Sequence, residues 1–540
     1  MARRAGTHGV LVRIGQAIVI LVLIMGVWMA AIAPPFSDEA AFAAPAVSLA
    51  TAGSFGSPVL DNPGSGLQGI GRHTYWILPV YPLLEVPFYL LGFRSSPFWG
   101  RLVSLAFSVA GIWAVWRVVG RLTRDPSIAA LSVGLLVSNV SWLMNSAAGR
   151  PDMVCFSLGW LGLATAVAPP EWPLRATISA AHALGALACL THPNGLLFPP
   201  LIALAQMALN PRGCWKSAGT IAAACAPYLI LGTAYGTYVS QGLPDFIAQF
   251  GGNATGGGRL SGLSNPWDAI RRELAIRYGD FLHATGNSFV VRSVKLLTLS
   301  LYVASVALCA ISKTLRTRYH GGWLCVALGL HCLFFTFVDG MKWGYYFIYL
   351  LVWYCIATAL VLRSRLRPWG RFLGAAVCLF IIAFNGARGL KWLHSQAADS
   401  QAYWSTANLV GSNGLGTRST IVGPAAFAFA LGFEGFPFHA DDAYGWSTGH
   451  RPDAWIVEAN RSGAIHPSNW FGACGAKLVE ARDGSSRIDW SVVAAVQTRQ
   501  CDYLRSLARD CSHVASRRGP TRWYVACLAP RTLSDPSGAY

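Results

Sequence analysis

The sequence predicts a polytopic α-helical membrane protein of about 11 transmembrane helices that ends in a small extracytoplasmic α/β domain. Three observations predict it. Of 540 residues, 54% are hydrophobic and 12% are charged, where a soluble chain carries about 25% charged residues. The apolar residues gather in runs long enough to cross a bilayer. The 42 Lys and Arg residues, set against 24 Asp and Glu, lie in short clusters between those runs, as orientation signals do. That clustering argues against nucleic acid as the partner of the net charge of +18. The 21 Trp residues suit belts at the membrane–water boundary.

The first apolar run, Ile14 to Ala33, follows Arg3, Arg4 and Arg13. It exceeds the roughly 7–15 apolar residues of a cleaved signal peptide, so it predicts a signal anchor with a cytoplasmic N-terminus. Further spans are expected at Arg101–Val119, Ile128–Met144, Met153–Val167, Ile178–Leu190, Gly195–Leu209 and Ser217–Val239. Four more follow at Val290–Ile311, Gly322–Val338, Tyr345–Val361 and Phe372–Phe384. The run Trp76–Phe93 is interrupted by Pro79, Pro82 and Pro87, which predicts an interfacial or re-entrant helix instead of a span.

Every connection that this topology puts inside carries Lys or Arg: Arg117, Arg121 and Arg124; Arg175; Arg212 and Lys216; Lys313, Arg316 and Arg318; and Arg363 to Arg371. The chain thus predicts a multi-pass protein of the cell membrane. Residues 1–390 form the transmembrane domain, with a long first outer loop over 34–100, and residues 391–540 form the extracytoplasmic domain. In the tail, "STIVGPAAFAFALGF", "DAWIVEA" and "RWYVACLA" predict buried strands, and "SVVAAVQTRQCDYLRSLARDC" a helix. Nine of the thirteen Cys lie in or beside apolar runs, where a Cys behaves as a small hydrophobe. The other four, Cys474, Cys501, Cys511 and Cys527, are even in number in an exported domain, which allows two disulfides of undetermined pairing or free thiols. No internal repeat is visible.

The unusual polar residues fall on the outer side of this topology. Asp38 and Glu39 open a helix in "SDEAAFAAP" with Ser37 as its N-cap. They fit either compensation of the helix dipole or a general base at the mouth of a cavity. Arg150 and Asp152, in "GRPDM", fit a boundary ion pair or a phosphate-binding arginine. His192, in "THPNG", fits a local cap or a ligand. A divalent metal there would need further His or carboxylate ligands, and no spacing rule supplies them. Lys342, in "DGMKWGYY", fits a snorkelling lysine or a point charge for a phosphate, with Tyr345 as a hydrogen-bond donor.

With these motifs, "AFAAPAVSLATAGSFGSPVL", "YWILPVYPLLEVPFYLLGFRSSPFWGRLVSLAFSVAG" and "KWGYYFIYLLVWY", the chain over roughly residues 10–390 resembles membrane glycosyltransferases of the GT-C fold. The likeness is closest to protein O-mannosyltransferases and to bacterial aminoarabinose-type transferases. That resemblance implies an enzyme that takes a sugar from a polyprenyl-phosphate donor and transfers it, with inversion, to an extracytoplasmic lipid, glycan or protein acceptor. It implies Asp38 as the base with Glu39 beside it, and Arg150 and Lys342 as holders of the lipid phosphate. In a mechanism of that kind Tyr345, Arg72 and His73 would orient that phosphate, and the Gly-rich loop 251–262 would be either a mobile lid or a simple linker. There is one departure. The family's Glu-Lys-Pro-Pro stretch is replaced by "GIGRHTYWILP", so an acid that could serve a metal or the acceptor is missing. Two other functions stay open: a transporter or flippase, which needs charges buried between the spans, and a non-catalytic scaffold for envelope assembly.

Overall fold

The computed structural model describes residues 2–61, 67–167, 172–209, 217–252, 261–283, 288–340, 342–364, 368–412, 415, 417–440, 452–460, 477–480, 486–489, 513–518 and 522–528. Each apolar run expected to cross the membrane is helical. The first lies in α1 (Ala2–Ile32), followed by α2 (Ser37–Ala52) and the Pro-interrupted α3 (Val80–Leu90). Next come α4 (Phe98–Thr123), α5 (Pro126–Val137), α6 (Val140–Ser146) and α7 (Pro151–Ala166). They lead to α8 (Leu174–Cys189), α9 (Phe198–Leu209) and α10 (Ala218–Ser240). The segment after α10 holds α11 (Leu243–Gly251), α12 (Ser261–Ser264), α13 (Pro266–Arg272), a π-helical turn over Glu273–Tyr278, and α14 (Gly279–His283). The last helices are α15 (Phe289–Ile311), α16 (Lys313–Arg318), α17 (Gly321–Phe337), α18 (Phe347–Ser364) and α19 (Pro368–Ser412).

Among the described residues, six segments are long and apolar enough to cross a membrane: those of α1, α4, α10, α15, α18 and α19. The pair α5–α6, taken as one, makes a seventh. The remaining runs, in α7, α8, α9 and α17, are 12 to 17 residues long, short of the roughly 20 that span a bilayer upright. Two expectations change. Ile128–Met144 is not one straight span: it bends by 75° between α5 and α6. There Asn139 takes the Ser141 N–H on its side chain at 3.0 Å and caps a new helix. The last span does not stop near Phe384. Its helix runs 45 residues to Ser412, because the stretch that opens the expected tail is rich in Ala and polar helix formers and contains no Pro.

Chain contacts divide the protein into two units. The first comprises Met1–Ala31, Trp76–Leu84 and Gly100–Trp392. At its centre α18 is buried along 89% of its apolar window and packs on α5, α15 and α17. Rings fill this interior, with Trp160 and Trp353 4.9 Å apart. By contrast α10 and α15 present large apolar side chains outward, Leu229 at 68% and Leu297 at 70% exposure, as helices solvated by lipid do. Close approach needs small residues: a Cβ on Gly159 of α7 would lie 2.2 Å from the Phe198 ring of α9.

The second unit comprises Ile32–Tyr75, Glu85–Trp99 and Leu393–Tyr540. The tail expected to begin at 391 therefore shares its unit with parts of the segment 34–100, the expected first outer loop. The Ala-rich face of α2 (Ala40, Ala43, Ala44, Val47) is buried in one core with Tyr403, Phe427, Phe429 and Ile456. Tyr403 stacks on Phe427 with centroids 4.5 Å apart and donates its hydroxyl to the Ala426 carbonyl at 2.9 Å. The strands are β1 (Ile421–Val422), β2 (Phe438–His439), β3 (Ala454–Asn460), β4 (Lys477–Glu480), β5 (Ser486–Asp489), β6 (His513–Arg518) and β7 (Arg522–Leu528). Five form a mixed sheet in the order β2-β1-β3-β7-β6, while β4 and β5 pair separately. β1 is parallel to β2 and β3, and β7 is antiparallel to β3 and β6. "DAWIVEA" and "RWYVACLA" are strands as expected. "STIVGPAAFAFALGF" keeps only two strand residues, because Gly423–Pro424 ends the extension and 3-10 turns follow at Ala425–Ala428 and Gly432–Glu434. The expected helix 491–511, Cys474, Cys501 and Cys511, most of the Gly-rich loop 251–262, Arg212, Lys216, Arg365 and Arg367 lie outside the described residues, as does the side chain of Cys527 in β7.

Candidate functional site

Three of the motifs expected on the outer side meet in the first unit. Pro151 opens α7 at its first position, where its missing N–H costs nothing. Asp152 occupies the first turn, where a carboxylate meets the positive end of the helix dipole. Neighbours hold this helix start in place. Ser104 of α4 donates to the Arg150 carbonyl at 3.2 Å, and the Tyr349 hydroxyl of α18 donates to the Asp152 carbonyl at 3.1 Å. Arg150 Nε donates to Asp152 Oδ2 at 3.0 Å, with both side chains buried.

The other carboxylate oxygen, Asp152 Oδ1, is buried and takes no hydrogen bond from a described residue. It lies 3.9 Å from His192 Nε2. His192 caps the 3-10 turn Pro193–Leu197 by accepting the Asn194 N–H on Nδ1 at 3.2 Å. That bond leaves the ring proton on Nε2, facing Asp152 Oδ1 and the Tyr346 hydroxyl, which is 3.4 Å away. The Arg150 guanidinium lies over the Tyr345 ring, 4.4 Å from its centroid, a cation–π contact. Asn145 of α6 fixes this loop by donating to the Tyr345 carbonyl at 3.0 Å. Arg150, Asp152, His192 and Tyr345, up to 195 residues apart in the chain, thus form one constellation.

Beside it opens a cavity of about 430 Å³, lined by Ser141, Met144, Asn145, Asp280, Phe281, Trp343, Gly344, Tyr345, Phe347 and Trp392. Five rings, one carboxylate and one amide line its wall, a composition suited to the apolar faces and hydroxyls of a sugar.

Lys342 stands elsewhere. Its ammonium donates to the carbonyls of Phe335, at 2.7 Å, and Thr336, at the C-terminal end of α17. There a cation meets the negative end of the helix dipole. It also lies 3.4 Å from Glu273 Oε2. Glu273 belongs to a buried cluster that sequence reasoning missed. Arg277 donates to Glu273 Oε1 and to Asp339 Oδ2, each at 2.6 Å, and to the Trp343 carbonyl at 3.0 Å. Burial pushes Glu273 above the usual carboxylate range, and Arg277 and Lys342 pull it back. Burial likewise lowers Lys342, opposed by Glu273. The signal available in the sequence was the i, i+4 spacing of Glu273 and Arg277. Lys342 keeps its backbone at φ +57°, an unusual conformation for a side chain of this size, because its contacts hold it there.

In the second unit the two adjacent carboxylates of α2 separate in role. Phe36, not Ser37, is the N-cap, and Glu39 accepts the Phe36 N–H at 2.8 Å as the returning half of a capping box. Glu39 is buried, whereas Asp38 is half-buried. Glu85, buried in the Pro-interrupted stretch and also missed from sequence, joins Glu39 near Tyr89. Burial first, and then the charges of Glu85 and Glu39, push the Tyr89 hydroxyl well up. Arg72 is exposed and His73 half-buried, with both backbone N–H groups folded onto the Gly69 carbonyl. Among the described residues no three His, Cys, Asp or Glu side chains converge on a point that could hold a metal. The pair His192 and Asp152 does not by itself make a divalent-cation site.

No family model matches the chain, and no curated protein matches it. Among solved structures, the chain is similar to ArnT from Cupriavidus metallidurans in the apo state, at 14% identity and a TM-score of 0.45, over 97% of this chain and 98% of that one. A likeness at that score leaves the functional reading to the residues themselves.

Proposed function

We propose that the chain is an integral membrane glycosyltransferase of the GT-C type, transferring a sugar from a polyprenyl-phosphate donor to an extracytoplasmic lipid, glycan or protein acceptor. The observation that carries this reading is the convergence of Arg150, Asp152, His192 and Tyr345 beside an aromatic-walled cavity. These residues come from separate motifs that resemble those of that superfamily.

In the proposed reaction the acceptor hydroxyl oxygen attacks the anomeric carbon. Asp38 takes the hydroxyl proton, and the bond from the anomeric carbon to the phosphate oxygen breaks. The polyprenyl phosphate leaves with the electron pair, so the sugar inverts. Asp38, half-buried at the start of α2, is assigned the base, and Glu39 the cap of its own helix. Arg150 supplies charge beside the cavity through the face of Tyr345, and His192 Nε2 supplies a donor. Charge that develops on the departing phosphate is stabilised most by such fixed groups. Arg72 and His73 are assigned to orienting the phosphate from the first outer loop. Lys342 acts indirectly, by holding the loop that carries Tyr345.

The test is transfer of a radiolabelled polyprenyl-phosphate sugar by the purified protein, with membrane extract as acceptor. Asp38→Asn is expected to lower the rate by about 10²- to 10⁴-fold with the fold intact, and Glu39→Gln to act mainly on stability. Unchanged transfer by Asp38→Asn removes Asp38 from the mechanism. Absence of transfer with every donor offered overturns the enzyme.

A further inference from the structure

Lys295 lies in α15, about 9 Å along the helix from its first residue, and is 2% exposed. A buried lysine in an apolar helix requires a partner, because the uncompensated charge is costly there. Its Nζ donates to Asn385 Oδ1 of α19 at 3.0 Å and lies over the Phe281 ring, 4.7 Å from the centroid. Neither partner is an anion. A second cation, Arg388, stands one turn beyond Asn385 on α19, close enough for its charge to oppose that of Lys295. Its Nε is buried and has no hydrogen-bond partner among the described residues. The amide nitrogen of Asn385, itself 2% exposed, is also buried and unbonded. No described carboxylate pairs with Lys295 or Arg388. Two cations and an amide with donors to spare are thus gathered without a counter-ion among the described residues.

We propose that Lys295, Asn385 and Arg388 form a binding site for the phosphate of a membrane lipid. An anion from outside the chain supplies the compensation that the chain lacks, and the three residues offer it charge-assisted hydrogen bonds. The surroundings favour a lipid over a free ion. On α15 the adjacent Leu296 and Leu297 are exposed, as is Leu390 on α19, so a hydrocarbon tail has an apolar surface beside the polar head. Phe281 and Trp392 also line the aromatic cavity, and Trp392 follows Arg388 by one turn on the same face of α19. The site therefore adjoins the proposed transfer cavity. The two phosphate-bearing sources are a polyprenyl phosphate and a resident anionic phospholipid. Binding stands whether or not the chain transfers sugar; only its service to the donor rests on the glycosyltransferase reading.

The experiment uses the full-length protein in detergent, titrated with undecaprenyl phosphate, phosphatidylglycerol or the neutral alcohol undecaprenol, and read by native mass spectrometry and by the unfolding midpoint. The wild type is expected to retain at least one phosphate lipid about 10-fold better than the alcohol, and its midpoint to rise with that lipid. Lys295→Met and Arg388→Gln are expected to lose this preference, and Lys295→Arg to keep it. Asn385→Asp puts a carboxylate of the chain into the site. It is expected to raise the midpoint of the lipid-free protein and abolish the preference, so it tests the proposal even if the other variants fold poorly. Preference for undecaprenyl phosphate alone assigns the site to the carrier, and preference for phosphatidylglycerol to a structural phospholipid. Equal retention of the alcohol, or a preference unchanged in all three charge-altered variants, overturns the proposal. Asp38→Asn is expected to retain the lipid normally, which separates failure of this site from failure of the catalytic reading.

Discussion

Lys342 illustrates how burial assigns a role that residue type leaves open. As a lone cation before a tyrosine pair it fits a phosphate clamp. In the structure its donors are spent on the last carbonyls of α17 and on Glu273. Lys342→Met is therefore expected to lower stability by about 1–3 kcal/mol through unmet carbonyls and an under-paired Glu273, with little change in KM for the donor. A thermal unfolding series with kinetics checks both, and a large KM change at unchanged stability returns Lys342 to the phosphate. Arg277 is the sharper case. Arg277→Met strips two buried carboxylates of their shared partner, and a loss of about 3–5 kcal/mol is expected.

At the scale of elements, helix starts and breaks aim the chemistry. The Asn139 cap turns α6 away from α5, and that turn brings Asn145 to the Tyr345 loop. α7 begins at Arg150–Pro151 because proline fits the first helical position, which fixes Asp152 against Arg150 and His192. Contact between α7 and α9 depends on Gly159. Gly159→Ala is expected to cost about 1–3 kcal/mol by overpacking against Phe198, whereas Gly120→Ala, with open space around it, is expected to cost little. Unfolding midpoints of the two variants decide the comparison.

For the whole molecule, the basic connections make a directional prediction. Alkaline phosphatase fused after Ser412 is expected to be active, and fused after Arg318 inactive, because only an extracytoplasmic fusion folds with its disulfides. The reverse pattern would invert the topology and move Asp38 to the cytoplasm.

Composition and the placement of Lys and Arg were enough to determine a helical chain solvated by lipid, since those properties follow from local hydropathy alone. The motifs "GRPDM", "THPNG" and "GYY" were legible because Pro and Gly mark helix starts locally. The partners of each charge were not legible. Arg277 meets Asp339 across 62 residues, and Lys295 meets Asn385 across 90, and no local pattern encodes such distances. Tertiary packing decided that Lys342 caps a helix, that Glu39 closes its own helix start, and that two cations on α15 and α19 have no anion beside them among the described residues. The reason is physical: in a low-dielectric interior the value of a charge depends on what lies within a few ångströms of it, and the fold alone determines those neighbours.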